Sequence, residues 1–147
     1  MSETVSKEPV ALLKECESGC KMAENSLDQV TPFAKDEKMQ TLLKESRKTH
    51  EEIGNECHKL LNEYGAPERD PHPTAKVFSW ISTEFKLAID SGNHQIASLM
   101  TDGCNMGVKS LSKYLNQYAA ADEVSKDITK RLISLEEKLA KDMRGFL

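Results

Sequence analysis

The fold of this chain is indicated by a short stretch that occurs twice, SGCKMA at residues 18–23 and DGCNMG at residues 102–107. Each copy has Gly-Cys at its centre and lies in a segment of helical periodicity, with the cysteine on the apolar stripe. A motif repeated in this way predicts two related helical hairpins that pack together, with Cys20 facing Cys104 across a pseudo-twofold axis. The interior between these two thiols is therefore the first place to look for a functional site.

The composition favours one helical domain and argues against a nucleic-acid or membrane partner. Of the 147 residues, 30% are charged and 5% are aromatic, which is typical of long amphipathic helices. A net charge of -4 argues against nucleic-acid binding, which needs a positive surface. No apolar run approaches the roughly 20 residues of a membrane span. The first residues do not resemble a secretory signal, so we expect a cytoplasmic protein whose four cysteines are reduced thiols.

Apolar residues recur every three or four positions along four long segments, which predicts an antiparallel four-helix bundle. The first helix starts near Ser6 and stops before Pro32, the second is capped by Asp36 and ends at Gly65, the third follows Gly92, and the fourth is capped by Asp122. We expect residues 1–7 to be a flexible N-terminus and residues 8–147 to form a single helical-bundle domain.

A fifth, shorter helix is predicted from about residue 74 to residue 90, in the crossover between the two hairpins. It carries apolar residues on two faces, and Val77, Trp80 and Leu87 lean toward the second of them. Two interpretations stay open: the helix lies across the bundle and is buried on both sides, or its second face contacts another copy of the chain. We expect a homo-oligomer, with this helix as the candidate contact.

Several of these stretches resemble a bacterial group of ferritin-like four-helix-bundle proteins that is catalogued as a domain of unknown function. In that group the first and third main helices each carry a Gly-Glu pair, and this chain has Cys20 and Cys104 at the Glu positions. The end of the second helix, YGAPE at residues 64–68, and the crossover at residues 80–92 are similar as well. The resemblance implies a ferritin-like antiparallel four-helix bundle with a fifth, shorter crossover helix.

The metal site of that superfamily lacks most of its ligands in this chain. Ferritin-like di-iron centres use one Glu from each of two helices and a Glu-x-x-His pair from each of the other two. Cys20 and Cys104 stand at the single-Glu positions, and the second helix has Arg47 in place of Glu three residues before His50. The fourth helix has Glu136 but no His. A di-iron cofactor is therefore not expected.

Soft metal ligands are nevertheless placed in the predicted interior. Cys16 and Cys20 lie four residues apart on one helical face, and their Cβ atoms are then ~5–6 Å apart, too far for a disulfide. Together with Cys104 and His50 they form a candidate metal site for Zn(II) or Cu(I). Cys57 is expected to lie a turn or more away from this set.

The function that the residues favour is not enzymatic, although they do not decide it. Phosphate loops, nucleophile elbows and complete zinc-protease motifs are absent from the sequence. Cys20 and Cys104 have three open interpretations: inert core thiols, soft-metal ligands, or a thiol–disulfide switch. His50 has a second interpretation as a buried imidazole bonded to a neighbour such as Ser46. We predict a bundle without a di-iron site and with a structural, interaction or stress-related function; the alternative is a Zn- or Cu-binding or thiol-redox protein.

Overall fold

Four long helices make up most of the described chain. A computed structural model describes residues 3–66 and 92–147. The helices are α1 (Glu3–Val30), α2 (Glu37–Glu63), α3 (Asn93–Gln117) and α4 (Glu123–Met143), with short 3-10 turns at Thr31–Phe33 and Arg144–Phe146. All regular structure in these two ranges is helical. The predicted all-α fold class is therefore confirmed.

Ion pairs between α1 and α2 show that the two helices run in opposite directions. Arg47 on α2 pairs with Asp28 on α1, whereas His58, further along α2, lies near Glu17, further back along α1. Packing is most extensive between α1 and α2 and between α3 and α4, so that each pair forms a helical hairpin. The described helices therefore have the predicted antiparallel four-helix architecture.

Two aspartates begin helices as the sequence predicts. The Asp36 side chain accepts a hydrogen bond from the Met39 N–H at 2.9 Å, and the Asp122 side chain accepts one from the Ser125 N–H at 2.9 Å. Each bond satisfies a backbone donor that has no partner within its own helix. The start and direction of α2 and α4 are thus set by local sequence.

The start of α1 differs from the sequence-based expectation. The helix begins at Glu3 and not near Ser6, so Pro9 lies inside it and not in its first turn. Proline at this depth lacks the N–H that would bond back to the preceding turn. The flexibility expected for residues 1–7 stays a prediction.

The interior contains two apolar clusters, which lie toward opposite ends of the bundle. One consists mainly of Leu27, Val30, Met39, Leu43, Ile96, Met100, Cys104, Leu139 and Met143, and the other of Leu13, Cys16, Cys20, Ile53, Cys57, Leu61, Leu111, Ile128 and Leu132. Two buried polar side chains, His50 on α2 and Glu136 on α4, lie between these clusters along their helices. A polar layer therefore crosses the middle of the core.

Glycines allow close packing within each hairpin. A Cβ atom added to Gly54 on α2 would lie 3.2 Å from the Cβ of Cys20 on α1. One added to Gly107 on α3 would lie 3.3 Å from the carboxyl carbon of Glu136 on α4. Both distances are shorter than comfortable carbon–carbon contact, so each position favours a residue without a side chain. The two glycines therefore bring α1 close to α2 and α3 close to α4.

Some expectations are not tested by the described residues. The predicted crossover helix, with Val77, Trp80 and Leu87, lies outside them. The homo-oligomer and the single domain over residues 8–147 stay predictions. No helix within residues 3–66 and 92–147 has the length and apolar character needed to cross a membrane.

Candidate functional site

His50 lies in the middle of the bundle and is fully buried. Its Nδ1 lies 2.8 Å from the backbone oxygen of Ser46 and 3.4 Å from the Ser46 hydroxyl. A carbonyl oxygen can only accept, so Nδ1 carries a proton and donates it. The predicted bond between His50 and Ser46 is thereby confirmed, and it holds the ring against its own helix.

The second nitrogen of His50 faces a carboxyl group on another helix. Nε2 lies 2.9 Å from Oε1 of Glu136, whose residue is only 8% exposed. Because Nδ1 already donates, a proton must lie between Nε2 and Oε1, carried either by an imidazolium or by a carboxylic acid. Without that proton two lone pairs would face each other at hydrogen-bond distance. The pair therefore forms a buried hydrogen bond, and both ring nitrogens of His50 have a partner.

Glu136 also contacts α3. The Cys104 thiol forms a hydrogen bond with the Glu136 side chain, and Gly107 lies directly against the same carboxyl group. A carboxyl group accepts from two sides with its two oxygens, so one Glu136 can join α2, α3 and α4. Glu136 is thus the central polar residue of the core.

Sequence reasoning did not select Glu136 as a site residue, although a signal for it exists. The position lies four residues after Leu132 and three before Leu139, both of which are buried. A carboxylate at an inward step of an amphipathic helix requires a hydrogen-bond partner. The sequence alone did not show that this partner is His50, because the two residues lie on helices distant in sequence.

The thiol of Cys104 is held in its neutral form. Burial raises its pKa, and the charge of Glu136 and the hydrogen bond to that residue act in the same direction. A neutral thiol is a weak nucleophile and a poor metal ligand. Cys104 therefore acts here as a small buried group that donates one hydrogen bond.

Cys20 has a similar environment on α1. It is fully buried against Gly54, and burial raises the pKa of its thiol, with further contributions from Cys16, Glu24 and Glu136. Cys20 packs in one apolar cluster and Cys104 in the other. The predicted approach of their two sulfur atoms stays a prediction.

Cys16 lies near Cys57, which the sequence predicts to be a turn or more away. Cys57 on α2 packs in the same apolar cluster and is close enough to change the pKa of the Cys16 thiol, and the Cys16 sulfur lies 3.2 Å from the hydroxyl oxygen of Thr129 on α4. All three residues are fully buried. The expectation that Cys57 lies a turn or more from the other cysteines is therefore wrong with respect to Cys16. Counting along single helices could not show how far α2 is shifted along α1.

Arg47 lies at the surface edge of the polar layer. It pairs with Asp28 at 3.1 Å and with Glu51, and its guanidinium is 3.7 Å from Oε1 of Glu24. Glu24 is 8% exposed, and its other carboxylate oxygen faces Gly54. Arg47 thus balances a carboxylate at the border of the interior, a role different from the metal-binding Glu that the resemblance places here.

The four predicted metal ligands are all buried, but they have other partners or environments. Both nitrogens of His50 are occupied, Cys16 lies near Cys57, and Cys104 contacts Glu136. In the part of the chain that the structure describes, no group of three or more His, Cys, Asp or Glu side chains is arranged to hold a metal ion. The metal site stays a prediction that this arrangement does not support.

Fold and site together define an all-α four-helix bundle with a buried, hydrogen-bonded polar centre. No family model matches the chain, and no curated protein matches its sequence. The structure is similar to the crystal structure of a DUF305 fragment from Deinococcus radiodurans, with a TM-score of 0.75, 12% sequence identity, and coverage of 94% of this chain and 93% of that one. At this identity the likeness shows a shared helical fold and carries no function.

Proposed function

We propose that the chain is a non-catalytic structural or interaction protein, built on a ferritin-like bundle whose former metal position is occupied by a structural hydrogen-bond network. The observation that carries the proposal is the 2.9 Å contact between His50 Nε2 and Glu136 Oε1. This contact occupies the imidazole face that a metal ion would need. A cytoplasmic homo-oligomer that serves as a scaffold or in a stress response is the setting we propose for it.

The chemistry of the interior supports a structural role. Burial raises the pKa of the Cys20 and Cys104 thiols, so neither is a ready nucleophile in the metal-free protein. The polar atoms of His50 and Glu136 satisfy one another and their helix neighbours, which removes the large cost of an unpaired buried group. Such a network specifies the register of the helices without needing a ligand.

The alternative function is a soft-metal or thiol-redox protein that uses Cys20 and Cys104. It would require these thiols, with Cys16 and His50, to converge on one Zn(II) or Cu(I) ion at sulfur–metal distances of roughly 2.3 Å for zinc. His50 would have to give up Ser46 or Glu136 to take part. The two functions therefore differ in metal content and in the effect of removing the thiols.

Metal analysis of the full chain tests the proposal. The protein is purified under reducing conditions, incubated separately with Zn(II), with Cu(I) under anaerobic conditions and with Fe(II), desalted and measured by elemental analysis. We expect well under one equivalent of each metal. One tightly held equivalent that disappears in the Cys20→Ser, Cys104→Ser double variant would establish the alternative and remove the proposal.

A paired substitution tests the structural role directly. Replacement of both His50 and Glu136 by Leu removes the network and fills its space with apolar atoms, which is often tolerated for buried polar pairs. We expect this double variant to keep the helical content, the oligomeric state and most of the stability, whereas His50→Leu alone loses stability because Glu136 is left unpaired. A double variant as unstable as the single one would contradict the proposal.

A further inference from the structure

We draw no further inference here: the strongest candidate, the surface groove between the end of α1 and the first half of α2 that Asp28, Thr31, Gln40, Lys44 and Arg47 line, carries nothing, because Arg47 is already paired with Asp28 and nothing in the structure of the described residues shows what would occupy the groove.

Discussion

His50 on α2 and Glu136 on α4 are joined by a buried contact of 2.9 Å between Nε2 and Oε1. The contact lies between two apolar clusters, in a layer where the core would otherwise be continuous. Because the Ser46 backbone oxygen accepts from Nδ1, the orientation of the imidazole is fixed. Only Nε2 is then left for Glu136 to bind. The pair therefore fixes how far α4 is shifted along α2, which apolar side chains alone specify only weakly.

Truncation of Glu136 should destabilise the protein much more than truncation of its neighbour. Glu136→Ala leaves Nε2 of His50 buried without a partner, and we expect a loss of about 2–4 kcal/mol in the free energy of unfolding. Glu136→Gln keeps a hydrogen-bonding group there and should lose less. Glu137→Ala, at an exposed position one residue on, should stay within about 0.5 kcal/mol of wild type. Urea unfolding at pH 7 measures all three; equal losses for the two alanine variants would refute a special role for Glu136.

Two Gly-to-Ala substitutions should have opposite effects. Alanine at Gly54 places its Cβ 3.2 Å from the Cβ of Cys20, an atom that no rotamer change can move. We expect a loss of about 1–3 kcal/mol from overpacking, which exceeds the gain of about 1 kcal/mol in helix propensity. At Gly19 the nearest atom to the new Cβ is a Leu132 methyl at 4.0 Å, so Gly19→Ala should stabilise α1 by up to about 1 kcal/mol. Thermal unfolding of both variants decides the point, and a stabilised Gly54→Ala would contradict close packing there.

The protein should lose stability in mildly alkaline solution. Burial raises the pKa of Cys20 and Cys104 in the folded state, whereas in the unfolded chain they titrate near 8.5. Below about pH 8.5 both states keep these protons, and the contribution to stability is fully present. Above it the unfolded state releases them first, so the free energy of unfolding falls by about 1.4 kcal/mol per pH unit for each thiol, until the folded-state pKa is reached.

Chemical unfolding at pH 8 and pH 10 under reducing conditions measures this slope. Cys104→Ala should make it shallower by about 1.4 kcal/mol per pH unit, whatever its effect on stability at pH 8. Met106→Ala, at an exposed position on the same helix, serves as the control and should keep the wild-type slope. Identical slopes in the two variants would show that Cys104 ionises equally well in the folded protein.

Loss of the Asp122 cap should weaken α4 at its start. The side chain accepts from the Ser125 N–H at 2.9 Å and also binds the Tyr64 hydroxyl at the end of α2. Asp122→Ala removes both bonds, and we expect a loss of about 1–2 kcal/mol. Asp122→Asn keeps the capping oxygen and should lose less than half as much. Amide hydrogen exchange at Ser125 reports the local effect; unchanged protection in Asp122→Ala would argue against capping.

Local sequence was sufficient for the helices and for the caps at Asp36 and Asp122. Apolar spacing and capping depend on residues within a few positions of one another, and these contacts are the same in an isolated helix as in the folded protein. The burial of Cys16, Cys20, His50 and Cys104 followed from the same periodicity. The start of α1 differs from the expectation because Pro9, which favours the first turn of a helix, lies inside α1.

The partners of the buried residues depended on tertiary structure. Cys16 lies near Cys57, and His50 binds Glu136, because each helix has one particular axial displacement relative to its neighbour. Close packing at Gly54 and Gly107 within the hairpins and the His50–Glu136 contact between the hairpins set that displacement, and each of them joins residues on different helices. The amino-acid sequence by itself determined which faces of the helices are buried, since that is a local periodic property. Which side chains meet inside was decided by the tertiary structure, since it depends on how far one helix is displaced along another.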